Sequence, residues 1–138
     1  MKMIVEDKEF IPTKGTEKSA GYDLYSPDNM FVPQGQKVVI NTKVSVEIPE
    51  GYFGLLCPRS SIGKKGFSLV NTIGIIDNDY RGQIILHLVN NAPSGQTINR
   101  GDRVAQLLIV PYISPEIKVV EELSETVRGT GGFGSTGA

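Results

Sequence analysis

With one cysteine, one histidine and almost no net charge, this 138-residue chain has few routes to metal or polyanion chemistry. The lone Cys57 excludes an intrachain disulfide framework and a cysteine-rich zinc site; it fits a reducing compartment, and we read it as an inert buried thiol. His87, with no cysteine partners, is a poor metal candidate and reads as a sheet or interface residue. A formal charge of −1 gives no overall pull toward nucleic acid or an anionic membrane, so any polyanion must be met by local basic residues. Long apolar runs are missing too. Residues 1–5 meet Glu6-Asp7-Lys8-Glu9 at once, too little for a signal peptide or a membrane span, and the expected location is cytoplasmic. No stretch has convincing helical periodicity and no internal repeat is visible, although Ser60 or Ser61 could cap one short helical turn between Arg59 and Lys65.

What is present is β-forming sequence broken by turn chemistry. Runs at 37–40, 43–48, 52–57, 84–89, 104–111 and 116–120 have the composition and spacing of strands in a sandwich. Val44, Val46 and Ile48 alternate with Lys43, Ser45 and Glu47, which places one face on a core and the other toward water; Glu116-Ile117-Lys118-Val119 repeats the pattern. Glycine, proline, asparagine and aspartate mark the turns between them. The length suits one compact domain with a single modest core. We assign it to residues 1–127. Residues 128–138 form a glycine-rich arm without an aliphatic anchor, expected to be mobile until something binds it.

Three segments carry candidate chemistry. In Gly74-Ile-Ile-Asp-Asn-Asp-Tyr-Arg-Gly82 a plain hairpin turn would need no function; alternatively Asp77, after two isoleucines, sits partly buried beside a cleft and deprotonates a water. Asp79, one strand repeat away, is expected on the opposite side in a structural role. Pro58-Arg-Ser-Ser-Ile-Gly-Lys-Lys-Gly66 is either a solvated basic loop or a set of cations and hydroxyls for phosphate oxygens. The tail Gly129-Thr-Gly-Gly-Phe-Gly134 matches a dinucleotide fingerprint only formally, since no helix follows. It is either a disordered terminus or an anion-binding nest with donors from Arg128, Ser135 and Thr136.

Five segments in this order resemble the five motifs of the trimeric deoxyuridine triphosphatase (dUTP diphosphatase) family: Ala20-Gly-Tyr-Asp-Leu-Tyr-Ser26, Pro58-Arg-Ser-Ser61, Asn71-Thr-Ile-Gly-Ile-Ile-Asp-Asn-Asp-Tyr-Arg-Gly82, Arg100-Gly-Asp-Arg-Val-Ala-Gln106 and Arg128-Gly-Thr-Gly-Gly-Phe-Gly-Ser-Thr-Gly137. The resemblance spans nearly the whole chain. It implies an all-β jelly-roll sandwich, a homotrimer with active sites shared between subunits, and a flexible arm that closes over the site. The implied reaction is dUTP hydrolysis to dUMP and pyrophosphate, which keeps uracil out of DNA and supplies dUMP for thymidylate synthesis. Mg²⁺ would be held through substrate phosphates and waters, with no direct protein ligand.

By position in the motifs, Asp77 resembles the residue that activates the attacking water, with Asp23 and Gln106 in the catalytic network. Arg59, Ser60 and Ser61 would meet phosphates, although the family more often has glycine where Ser61 stands. Asn71, Gly74 and Ile76 would border the uracil, and Tyr80 would pack on deoxyribose where a 2′-hydroxyl has no room. Phe133 would stack on the base, while Arg128, Gly134, Ser135 and Thr136 would clasp the outer phosphates. Three other functions are weighed. A dCTP deaminase of the same fold needs a glutamate near the base, which residues 71–82 lack; a nucleotide-binding regulator needs no complete motif set; a structural trimer gives the tail no purpose. Neither nucleic acid nor a membrane is expected as a partner.

Overall fold

The structure is a computed structural model in which residues 1–134 are described. It contains β1 (Lys2–Val5), β2 (Tyr22–Tyr25), β3 (Met30–Val32), β4 (Lys37–Glu47), β5 (Tyr52–Pro58), α1 (Ser60–Lys64), β6 (Phe67–Leu69), β7 (Gly74–Ile76), β8 (Gln83–Asn90), β9 (Gln96–Ile98) and β10 (Arg103–Pro111), with a 3-10 turn at Lys8–Phe10. All the strand pairs are antiparallel. They form one sheet in the order β1-β4-β8-β6, a second in the order β2-β10-β5-β7, and a β3-β9 ribbon.

Alternation builds the core between them. Val44, Val46 and Ile48 are buried as their period of two requires, and on β8 Ile84, Leu86 and Leu88 point inward while Ile85 and His87 face out. With Leu24, Leu56, Ile62, Val104 and Leu107 they make one apolar cluster; each such side chain contributes about 1.5–3 kcal/mol when fully buried. Two runs expected as separate strands, 37–40 and 43–48, are one long β4 interrupted by a bulge. The register with β8 shifts between Asn41 and Ser45, and Lys43 takes φ 60° while its N–H donates to Asn41 Oδ1. Polar capping by a side chain, invisible to periodicity, holds the chain through this irregularity.

The residues between Arg59 and Lys65 do form a helical turn, α1, but neither serine caps it. Arg59 occupies the cap position and makes no side-chain cap bond; Ile62, buried against the core, is what seats the helix. Residues 116–120 are not a strand: Ile117 and Val119 are exposed, and no neighbouring strand edge pairs with them. Beyond the Tyr112 N–H bond to the Gly51 carbonyl, residues 113–134 make only local turn bonds among the described residues.

Candidate active site

The sheet β2-β10-β5-β7 carries polar groups at both ends of β5. At the far end, Asp23 on β2, Gln106 on β10 and Cys57 on β5 stand in register across three strands and therefore on one face. Cys57 is half-buried rather than enclosed, because this face is the outer one. Asp23 is only 1% exposed, covered by two guanidiniums: Arg59 Nη1 lies 3.1 Å from Oδ1 and Arg103 Nη1 lies 3.4 Å from Oδ2. The Arg59 contact lacks hydrogen-bond alignment, so Asp23 Oδ1 and Arg59 Nε both keep unused bonding capacity. Gln106 lies over Gly21, where a Cβ would stand 2.8 Å from Gln106 Oε1. Only glycine leaves that side chain its place.

Arg103 is a residue that the sequence reading passed over. Its signal was available, immediately before the buried Val104-Ala105 pair and three residues before Gln106, but nothing local says that Asp23 is its partner. With Ser61, Lys65 and Asp102 it lines a concavity of about 270 Å³. Lys65 Nζ donates to Asp102 Oδ2 at 2.7 Å, tying α1 to the turn before β10. Burial acts to raise the Asp102 carboxyl, but the bonds from Lys65 and the Asn99 N–H, with the Lys65 charge, outweigh it and hold the group below its ordinary range. Ser60 is exposed at the start of α1.

The acidic turn lies elsewhere. β7 pairs with β5 and β8 pairs with β4, so residues 77–82 are not a hairpin tip; they cross from one sheet to the other. Asp77 is exposed, not partly buried, and no side-chain donor meets its carboxylate among the described residues. It lines a cleft of about 490 Å³ with Phe53, Ile75, Asn78, Asp79 and Tyr112. Asp79 thus shares the cleft instead of pointing away: residues two apart lie on one side under a period of two, and the turn after Ile76 keeps both acids at the cleft. Tyr80 borders an adjoining concavity with Ile76 and Asp77, and Asn71, Gly74 and Ile76 border a third across β7. These predicted base- and sugar-facing residues are therefore gathered around one strand.

Two predicted groups are not brought together within the chain. Ile76 pairs with Gly54, which places Asp77 beside the first residues of β5, whereas Arg59 follows its last. Six residues of strand separate those levels by about 20 Å. Arg128 and Gly134 are exposed, Phe133 fully so, and none of the three touches the sheets through a hydrogen bond. Ser135 and Thr136 lie outside the described residues. Among the described residues no three His, Cys, Asp or Glu side chains gather as a metal site.

Sheets, buried carboxylate and guanidiniums together define a two-sheet all-β protein with polar ends suited to an anionic ligand. The dUTPase family model matches residues 7–137, and the chain belongs to that family. It is 41% identical to the deoxyuridine 5′-triphosphate nucleotidohydrolase of Escherichia phage T5, over 100% of this chain and 99% of that one. Among solved structures it resembles a mutant of the Staphylococcus bacteriophage 80alpha dUTPase with dUpNHpp, at TM-score 0.90 and 31% identity over 99% and 98% of the two chains. A dUTPase variant from phage phi11 of S. aureus, described with a structural Mg(II) ion, follows at TM-score 0.81 and 31% identity, over 90% and 98%.

Proposed function

We propose that this chain is a dUTP nucleotidohydrolase that converts dUTP and water to dUMP and pyrophosphate. The observation that carries the reading is the free, exposed carboxylate of Asp77 at a cleft beside Tyr80, in a chain matched to the family over residues 7–137. Asp77 takes a proton from the water that attacks the α-phosphorus; the new P–O bond forms as the bridging bond to the β-phosphate breaks, and pyrophosphate leaves. Arg59, Ser60, Ser61 and Gln106 bind phosphate oxygens, and Asp23 aligns Arg59 from beneath. Asn71, Gly74 and Ile76 border the uracil, and Tyr80 packs on the deoxyribose.

The separation of about 20 Å between the levels of Asp77 and Arg59 within one chain supports a shared site: the Asp77 side comes from one subunit and the phosphate side from another. A homotrimeric jelly roll meets that need. The exposed Ile117 and Val119, alternating in the end of the body with no strand partner among the described residues, support a C-terminal segment that leads the arm away from its own subunit toward a neighbour. We keep residues 1–127 as the body and 128–138 as the closing arm, with Arg128, Phe133, Gly134, Ser135 and Thr136 as its ligand contacts. Mg²⁺ fits as a cation carried by the phosphates: Asp23 Oδ1 has a free acceptor for a metal-bound water, while the flanking guanidiniums disfavour direct ligation. When bound, it neutralises phosphate charge. The single reduced cysteine supports a cytoplasmic location.

The test is pyrophosphate release with Mg²⁺ from dUTP, dTTP, dCTP and UTP. Selective turnover of dUTP is expected, and equal rates on all four refute the pocket. Asp77→Asn should lower kcat by about 10²–10⁴-fold while dUpNHpp still binds; normal turnover would assign the water to another group.

A further inference from the structure

Gly82 ends the turn that carries Tyr80, and the two residues occupy the same space. A Cβ built on Gly82 would stand 2.3 Å from the Tyr80 hydroxyl oxygen, 2.4 Å from Cζ and 2.9 Å from Cε2. The aromatic ring therefore lies directly on the Gly82 backbone. Its hydroxyl donates to the Gln83 carbonyl at 3.0 Å, which fixes the tilt of the ring as well as its position. Arg81 closes the turn from the other side, with Nη1 donating to the Asn78 and Tyr80 carbonyls. At its far end Gln83 is held too: its side-chain oxygen accepts from Asn41 Nδ2 at 2.7 Å and its Nε2 donates to Glu6 Oε1.

We infer that Gly82 is a specificity-determining residue: by leaving room for Tyr80 to lie flat and bond the Gln83 carbonyl, it sets the ring that separates deoxyribose from ribose. The inference rests on the reading that Tyr80 packs on the sugar. Gly82 does not itself touch the nucleotide and acts as a positioning residue. Its backbone does not lie in the left-handed region, and the three nearest atoms that an added Cβ would meet all belong to the tyrosine, so the clash with Tyr80 is the main obstacle to alanine there. The clashing atoms are the tip of a side chain that is 42% exposed and free to swing toward water. Gly82→Ala should thus displace the ring without disturbing either sheet. A pocket that gains room for one hydroxyl loses discrimination by steric exclusion, an effect of about 10–200-fold for a contact of this size.

The experiment compares kcat/KM for dUTP with that for UTP in the wild type, Gly82→Ala, Tyr80→Ala and Tyr80→Phe, alongside the thermal midpoint. A drop of about tenfold or more in the dUTP:UTP ratio is expected for Gly82→Ala and Tyr80→Ala, with the midpoint of Gly82→Ala unchanged. Tyr80→Phe, which removes only the bond to the Gln83 carbonyl, should lower the ratio less. If Tyr80→Ala loses discrimination and Gly82→Ala keeps it, Gly82 does not position the ring and the inference is overturned while the sugar reading stands. If neither variant changes the ratio, Tyr80 is not the discriminator and both fall. An equal loss on dUTP and UTP would make Gly82 merely structural and overturn the inference. Should Gly82→Ala fail to fold, undiminished discrimination in Tyr80→Phe overturns it instead.

Discussion

Asp23→Asn and Arg103→Gln break the same ion pair, yet they are expected to differ in cost. The reason is exposure. The Asp23 side chain is 1% exposed, whereas those of Arg59 and Arg103 are 30% and 52% exposed. When Asp23 becomes neutral, both guanidiniums turn to water, and the loss is that of charge-assisted contacts, about 1–3 kcal/mol. When Arg103 is removed, the enclosed carboxylate keeps only Arg59 at 3.1 Å. Truncating one partner of a buried pair costs about 3–5 kcal/mol because the other charge stays out of water. The Coulomb attraction across the 3.4 Å contact, about 5 kcal/mol at an effective dielectric of about 20, sets the ceiling. Asp23→Asn combined with Arg103→Gln should therefore be more stable than Arg103→Gln alone, since the stranded charge is gone. Urea unfolding at one fixed protein concentration measures all four species of the cycle; the fixed concentration removes any contribution of assembly from the comparison. Strict additivity, or a larger loss in Asp23→Asn than in Arg103→Gln, would refute the argument from burial.

Gly21→Ala should push Gln106 out of place, since the new Cβ would lie 2.8 Å from Oε1 and 3.1 Å from the Gln106 Cβ; kcat is expected to fall by about 10²-fold with little change in thermal midpoint, and unaltered kcat would separate Gln106 from catalysis. Asp102, held below its ordinary range by Lys65 and Asn99, contributes stability that is complete above the unfolded carboxyl value near ~3.9 and is lost as pH falls through the lower folded value. Asp102→Asn should flatten that part of the acid unfolding curve, and an unchanged slope below about pH 4 would show that the Lys65 contact carries no linkage. Ending the chain at Val127 should leave a folded protein whose kcat/KM for dUTP falls by about 10²-fold; loss of folding would make the arm a structural element instead.

Alternation exposed β4, β5, β8 and β10 to sequence reading because each has one face on the core, a pattern of period two. The strands β3, β6, β7 and β9 are three residues long, too short to show a period. Run 116–120 has the alternation but no partner strand among the described residues, so the same pattern suggested a strand that the structure does not form. Among the candidate site residues, Asn71, Asp77 and Tyr80 could be grouped from the sequence because chain proximity brings them around β7. The Asp23–Arg103 pairing was not: 80 residues separate the partners, and only the adjacency of β2 and β10 brings them together. Asp79 was placed wrongly for a different reason: residues two apart share a side under a period of two, so alternation gave no ground for opposing it to Asp77.

The crossing of residues 77–82 between the sheets gives the protein a built-in caliper. Asp77 hangs from β7 in one sheet, while Tyr80 is tethered through Gln83 to β8 in the other. In the proposed site, a nucleotide gripped between these two residues would measure the spacing of the sheets themselves. Repacking of the core between the sheets, for instance at Leu56 or Ile84, can thereby retune the reach of the carboxylate relative to the ring without touching either. Occupancy of the proposed site would in turn work on the core, resisting any motion that parts the layers, so that bound nucleotide would stiffen the whole fold and not only its loops.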